Sequence, residues 1–91
     1  MTLHQIFEAQ GARRWQLLAF TAAERRANLV KLKDALDARR EGLFAALAQD
    51  LGKAREEAYL TEVHPTFAEL NHAIRNVGSW MKSKHVGTPL A

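Results

Sequence analysis

The residues that could bind a metal ion are four scattered histidines and ten acidic residues, and the sequence contains no cysteine. The lack of cysteine excludes thiol nucleophiles, disulfides and cysteine-ligated zinc from these 91 residues. Glu69 and His72 form one Glu-x-x-His pair, a spacing that di-iron helix bundles use twice. No other histidine has a glutamate three residues before it, and a bundle site also needs two further inward carboxylates. We therefore predict no metal-binding residue.

Three Arg-Arg pairs, at 13–14, 25–26 and 39–40, are candidates for contacts with phosphate groups. Each pair lies among acidic or apolar neighbours, and a net charge of +3 does not by itself indicate nucleic acid. A solvent-exposed helix face is the common explanation for such pairs, so we predict no nucleic-acid partner.

Other motifs that could carry chemistry have equally plain explanations. Residues 50–53 (Asp-Leu-Gly-Lys) do not have the spacing of a phosphate-binding loop. Trp15 and Trp80 could stack on a ligand, but aromatic residues on helical stripes usually belong to a core. We predict that the chain has no catalytic and no cofactor-binding residue.

The longest predicted element is a helix over Glu56–Lys82. Its large apolar residues are three or four positions apart, which is the period of one helix face and not of a strand. They are Tyr59, Val63, Phe67, Leu70, Ile74, Val77 and Met81. Pro65 lies inside this pattern, lacks an N–H group and crowds the carbonyl of Thr61. Because the apolar phase continues across Pro65, we predict a kinked helix, with two separate helices as the alternative.

Capping signals predict where the preceding helices begin. Two residue pairs have the spacing of a capping box, Thr2 with Gln5 and Thr21 with Glu24. In a capping box, the side chain of each residue accepts a hydrogen bond from the backbone N–H of the other. Within the first helix, Gly11 either weakens the helix by roughly 1 kcal/mol or allows another backbone to approach closely.

The helix that follows Thr21 carries leucines on one face as far as Leu51. The pattern thins over residues 37–42, so this run either continues as one helix or divides there. Gly52 is a plausible C-cap, since glycine tolerates the positive φ at which many helices stop.

These elements predict an all-α fold with three to four amphipathic helices in an antiparallel bundle-like arrangement. Residues 1–82 form the helical segment, and residues 83–91, which are basic and contain Gly and Pro, form a connector. No secretory signal and no apolar run of about 18 residues is visible, so we expect a cytoplasmic protein without a membrane partner.

Several short sequence motifs occur in a fixed order along the chain. They are Thr21-Ala-Ala-Glu-Arg-Arg26, Leu29, Leu32, Leu36, Arg39-Arg40-Glu41, Leu43, Asp50-Leu51-Gly52-Lys53, Glu57-Ala58-Tyr59-Leu60-Thr61-Glu62-Val63, Trp80-Met81-Lys82 and Val86-Gly87-Thr88-Pro89-Leu90. From about Phe7 to Leu90, this order resembles the N-terminal segment of NAD(P)-dependent aldehyde dehydrogenases. The branch that it resembles is the class 3-like, fatty-aldehyde and coniferyl-aldehyde group.

The resemblance implies an enzyme that oxidises aldehydes to carboxylic acids with NAD or NADP. In that family a cysteine thiolate attacks the carbonyl, hydride passes to nicotinamide, and a glutamate activates the hydrolytic water. The cofactor-binding domain and both catalytic residues would follow residues 83–91, and no residue here matches a catalytic motif. The resemblance thus implies a structural, non-catalytic segment whose partner is the remainder of the dehydrogenase chain.

The residues alone leave a second interpretation open, a free-standing helical adaptor that binds a partner helix along 56–82. In both cases the long apolar stripe exceeds what a small domain readily covers. We therefore predict a homo-oligomer with Phe67, Leu70 and Ile74 near the contact.

Overall fold

The computed structural model describes residues 1–90, and every regular element in that range is helical. The elements are α1 (Leu3–Leu18), α2 (Ala22–Ala38), α3 (Arg40–Leu51), α4 (Arg55–Ala58), a π-helical segment (Tyr59–Val63) and α5 (His64–Trp80). The predicted all-α class is confirmed. Residues 83–90 have no regular structure, while Ala91 lies outside the described range, so the division into 1–82 and 83–91 stays a prediction.

Both predicted capping boxes are present. The hydroxyl of Thr2 accepts from the N–H of Gln5 at 3.1 Å, and the Thr2 N–H donates to Gln5 Oε1 at 2.8 Å. At α2, the Glu24 N–H donates to Thr21 Oγ1 at 3.1 Å, and the Thr21 N–H donates to Glu24 Oε1 at 3.3 Å. The N-termini of α1 and α2 are therefore fixed by side chains three residues apart.

The leucine-bearing run divides within the predicted range. Arg39, with φ −111° and ψ 21°, separates α2 from α3. The predicted C-cap is also confirmed. Gly52 ends α3 at φ 64°, and its N–H donates to the carbonyl of Ala48 at 2.9 Å. This left-handed conformation suits glycine because a Cβ at positive φ crowds the backbone of its own residue, although no other group lies within 4 Å.

The predicted long helix follows one path from Arg55 to Trp80 and ends two residues before the predicted Lys82. The disturbance at Pro65 takes the form of a π-helical turn directly before it, where the N–H of His64 donates to the carbonyl of Tyr59, five residues back. A wider turn at this point suits a proline that cannot donate and that crowds the carbonyl of Thr61. No non-helical residue interrupts this path, although α5 begins at His64 and has Pro65 in its first turn, as in the predicted alternative.

Helices α2 and α5 pack antiparallel. Arg26, near the start of α2, donates from Nε to the carbonyl of Ile74, near the end of α5, at 3.1 Å. At the opposite ends of the two helices, Leu36 packs against the buried cluster that contains Phe67. Helix α3 lies beside α4, and the buried core consists of Phe44, Ala58, Val63 and Phe67.

Helix α1 stands apart from this packing, because each of its residues is exposed. The Cα radius of gyration is 18.3 Å, whereas a compact domain of this length has about 12 Å. The antiparallel arrangement thus describes α2 and α5, and α1 extends away from them.

Candidate functional site

The Glu-x-x-His pair on α5 does not come together with other metal ligands. Glu69 and His72 are both exposed, and the ring of His72 lies 5.5 Å from that of Trp80. The amide of Asn76 also donates to the His72 carbonyl, at 2.7 Å. Among residues 1–90, no three acidic or histidine side chains gather where they could hold an ion.

The first two arginine pairs contact the protein itself. Arg13 donates weakly to Gln16 at 3.4 Å, and the guanidinium of Arg14 lies 5.0 Å from the ring centre of Trp15. Arg25 donates from Nη2 to the carbonyl of Leu17 at 2.7 Å, which ties the end of α1 to the start of α2. Arg26 joins α2 to α5, as described above. The residues at 25–26 therefore set the positions of helices.

The third pair lies at the junction of α2 and α3. Arg39 donates to the carbonyl of Ala35 at 3.3 Å. Arg40 donates to Asp37 at 2.9 Å, and its guanidinium lies 4.6 Å from the ring centre of Phe67. A cation over an aromatic ring is attracted to the negative face of that ring. Arg40 thus covers one side of the small core.

Arg55 forms the shortest ion pair in the described chain, with Glu41 at 2.7 Å. Its Nη1 and Nη2 donate to the two carboxylate oxygens of Glu41, each at 2.7 Å, and its guanidinium lies 4.3 Å from the ring centre of Phe44. The hydrogen bonds from Arg55 lower the pKa of Glu41, and the same bonds raise the pKa of Arg55. This pair holds α3 against the start of α4.

Sequence reasoning missed these arginine contacts. It assigned the Arg-Arg pairs to a solvent-exposed helix face and gave no contact to Arg55. The contact between Asp37 and Arg40 could have been predicted from the sequence. The two residues are three positions apart, a spacing that brings side chains together on a helix. No comparable signal existed for Arg26 and Ile74, which are 48 positions apart.

The open grooves between the helices are mostly apolar. One, of about 230 Å³, lies between α2, α3 and α5 and has Leu36, Leu43, Leu47, Val63 and Phe67 among its lining residues. A second, of about 430 Å³, lies at the corner between α1 and α2, and we call it the corner groove. Its lining residues are Leu17, Phe20, Arg25, Asn28, Leu29, Leu32 and Val77.

A third groove, of about 460 Å³, lies over α3 and α4. It includes the side chains of Arg40 and Arg55, but these cations already pair with Asp37 and Glu41. The charged groups at this groove are therefore engaged in holding helices together.

Large apolar side chains are exposed along much of the chain. Those more than half exposed within the helices are Leu3, Phe7, Trp15, Leu18, Leu51, Leu60 and Trp80. The predicted core positions of Trp15 and Trp80 are wrong, because both rings lie largely in solvent at 67% and 59% exposure. On this small fold, there are not enough neighbouring helices to cover every apolar face.

The long apolar stripe, by contrast, is partly covered by the chain itself. Phe67 is buried in the core, and Leu70 and Ile74 are half-buried. The groove that a free-standing adaptor would offer along 56–82 is thus occupied in part by α2 and α3. None of the helices in residues 1–90 is long and apolar enough to traverse a bilayer.

The chain is thus a helical segment with uncovered apolar faces. Comparison with known proteins identifies relatives of it. Aldehyde dehydrogenase family 3 member B1 from Rattus norvegicus is 38% identical over 98% of this chain. The Homo sapiens protein of the same name is 37% identical over 99% of the chain. A 4,4'-diaponeurosporen-aldehyde dehydrogenase from Staphylococcus aureus is 38% identical over 72% of the chain.

The resemblance stated from sequence is confirmed: this chain corresponds to an N-terminal segment of the class 3-like aldehyde dehydrogenases. It spans only 18% of the length of the rat and human relatives and 14% of the bacterial one. No protein-family model and no solved structure matches the chain.

Proposed function

We propose that this chain is the structural N-terminal segment of an enzyme that oxidises aldehydes to carboxylic acids with NAD or NADP. The single observation that carries the proposal is the match to aldehyde dehydrogenases along nearly the whole chain. In the proposed whole protein, the remainder of the polypeptide is the partner of these helices. Hydride acceptance by the nicotinamide and the thiolate chemistry belong to that remainder.

The charged residues of the segment support a structural role. Arg26 and Arg55 contact groups on neighbouring helices, and Arg40 lies over the core residue Phe67, so each of these cations is engaged within the fold. Lys53 likewise donates to Glu62 and Thr61, at 2.8 and 2.9 Å. The exposed apolar residues Leu60 and Trp80 supply surface that the remainder of the enzyme would cover.

The first test separates the segment from the enzyme. We expect the 91-residue chain to show no binding of NAD or NADP by calorimetry and no aldehyde-dependent reduction of either. The longer polypeptide that the proposal requires is expected to reduce one of them when an aliphatic or aromatic aldehyde is added. Micromolar cofactor binding by the 91-residue chain would contradict the non-catalytic role.

The second test addresses the structural role in the longer polypeptide. Leu60→Asp and Trp80→Asp place a charge on surface that the remainder is proposed to cover, so both should lower the melting midpoint without changing the KM for the cofactor. Glu69→Gln, at an exposed polar position, is the matched control and should change neither quantity. Equal midpoints for all three variants would show that the remainder does not pack on this surface.

A further inference from the structure

The corner groove contains an arginine whose charge has no acidic partner. Arg25 is one of its lining residues and donates from Nη2 to the carbonyl of Leu17 at 2.7 Å. Its Nε atom is buried and has no hydrogen-bond partner among residues 1–90. In the same range no carboxylate lies within ion-pair distance of this guanidinium, whereas Arg40, Lys53 and Arg55 each pair with one. A buried N–H group without an acceptor is costly, so Arg25 gains from an acceptor that an incoming group supplies.

The rest of the corner groove carries no negative charge. Its other lining residues are apolar except for Asn28, an exposed amide that can donate a further hydrogen bond. A complementary surface therefore has apolar groups around one negatively charged acceptor. In a polypeptide that acceptor is the carboxylate of aspartate or glutamate, which arginine binds with short, charge-assisted hydrogen bonds.

The path of the chain places the residues that follow α5 beside the corner groove. Val77 lines the groove and lies three residues before Trp80, the last residue of α5. Residues 83–90 have no regular structure, so they allow a following segment to turn back onto the groove. A segment on the same polypeptide meets the groove at an effective concentration on the order of millimolar. Contacts that are too weak to hold an unconnected partner are then sufficient.

We propose that the corner groove holds a segment of the remainder of the longer polypeptide, in which an aspartate or glutamate among apolar residues pairs with Arg25. This inference rests on the proposed function, since it requires that remainder. The carboxylate supplies the acceptor that the guanidinium lacks, and the apolar residues cover Leu32, which is 49% exposed. The bond from Arg25 to Leu17 then connects the occupied groove to the end of α1, a helix with no buried residue of its own. The segment therefore also fixes the direction of α1.

Carbodiimide cross-linking of the longer polypeptide tests the pairing. Arg25→Lys places an amine at the groove, and a carbodiimide joins an amine to a carboxylate in contact with it through an amide bond. We expect mass spectrometry of the peptides to show residue 25 joined to an aspartate or glutamate beyond residue 91. Arg13→Lys, at an exposed position of α1 outside the groove, is the matched control and should give no link beyond residue 91.

Hydrogen exchange tests whether the pairing holds α1. We expect the amides of Leu17 and Leu18 to exchange at least tenfold more slowly in the longer polypeptide than in the 91-residue chain. Arg25→Gln should remove most of that protection, because the carboxylate loses its cation, and Arg25→Lys should retain more of it. In the 91-residue chain, Arg25→Gln removes only the bond to the Leu17 carbonyl and should change the exchange rate less than about twofold.

Three outcomes would overturn the proposal. One is an Arg25→Lys variant that forms no link, or links only within residues 1–91 or to an acidic residue in a polar stretch. Another is a link between two copies, seen as a doubled mass, which would assign the groove to the homo-oligomer predicted from the sequence. The third is equal protection of α1 in the wild type and Arg25→Gln. None of these measurements depends on catalysis, so the pairing can fail in a polypeptide that oxidises aldehydes and hold in one that does not.

Discussion

Individual arginine side chains connect helices of this protein where apolar contacts are few. Arg26 donates to a carbonyl on another helix, Arg40 covers the ring of Phe67, and Arg55 both pairs with Glu41 and covers the ring of Phe44. The long alkyl stems of these residues also shield apolar surface from water. An Arg-rich sequence can thus reflect internal packing needs as much as an anionic partner.

The capping box at Thr21 leads to a prediction about single-residue stability. Thr21→Ala removes the acceptor of the Glu24 N–H and should cost about 1 kcal/mol. For a domain of this size, the melting midpoint should fall by roughly 4–8 °C. Thr2→Ala removes the equivalent box from α1, which is not packed on the core, so it should reduce the helical signal and leave the midpoint unchanged. Equal shifts from both variants would show that α1 unfolds together with the core.

The ion pair between Glu41 and Arg55 predicts a dependence of stability on pH. Because the folded-state pKa of Glu41 is lowered, the unfolded chain binds more protons near the ordinary carboxyl pKa. The contribution of the pair is therefore complete above that ordinary value and is lost as the pH falls through the lowered folded-state pKa. Urea unfolding at neutral and acidic pH should show a smaller loss of stability for Glu41→Gln than for the wild type.

The control for this prediction is salt. The pair is exposed, so high salt should reduce the difference between wild type and Glu41→Gln. Curves that run parallel from neutral to acidic pH would mean that the pair does not contribute to folding.

At the scale of single elements, two glycines predict opposite effects of the same substitution. Gly52 has φ 64°, so Gly52→Ala should destabilise the fold by about 1–2 kcal/mol. Gly11 lies within α1, and a Cβ added there meets nothing within 4 Å, so Gly11→Ala should favour the helix by up to about 1 kcal/mol. Urea unfolding measures the first effect and circular dichroism the second. A stabilising Gly52→Ala would show that α3 does not end in the left-handed conformation.

The open space around Gly11 also decides between the two predicted explanations of that residue. No other backbone approaches it within the described chain, so Gly11 acts as a weak helix former.

The π-helical segment adapts the helix to the proline at position 65. It widens the turn before Pro65 and allows one helical path to carry residues from Arg55 to Trp80.

At the scale of the whole molecule, the core is small. Its four buried residues are Phe44, Ala58, Val63 and Phe67, and two partly buried leucines pack against them. A single core in a protein of this size contributes only a few kcal/mol of net stability. Truncation of one core side chain should therefore lower the folded fraction strongly.

Phe67→Ala tests the size of the core. Removing a buried phenylalanine costs about 3–5 kcal/mol, which is comparable with the whole net stability of a small domain. We expect thermal unfolding of the variant to lose its cooperative transition. Leu60→Ala, at an exposed position, should change the stability by less than about 0.5 kcal/mol. A cooperative transition that survives in Phe67→Ala would mean that stability comes mainly from other contacts.

The amino-acid sequence by itself determined the helices, the caps at Thr2, Thr21 and Gly52, and the family to which the chain is related. These features depend on residues within about four positions of one another, or on the order of motifs along the chain. The thinning of the apolar pattern over residues 37–42 left one helix or two open, and the structure has two helices, separated at Arg39. Pro65 was predicted from its own chemistry to disturb the helix around it. The sequence did not indicate that the disturbance would be a π-helical turn.

Only the tertiary structure decided which apolar faces are covered. Periodicity shows that a helix has an apolar face, but the partner of that face is set by residues far away in sequence. Phe67 is buried and Trp15 is exposed, although both occupy helical stripes. The bond between Arg26 and the carbonyl of Ile74 could not be read from spacing, because a side chain and a carbonyl 48 positions apart meet only once α2 and α5 have packed.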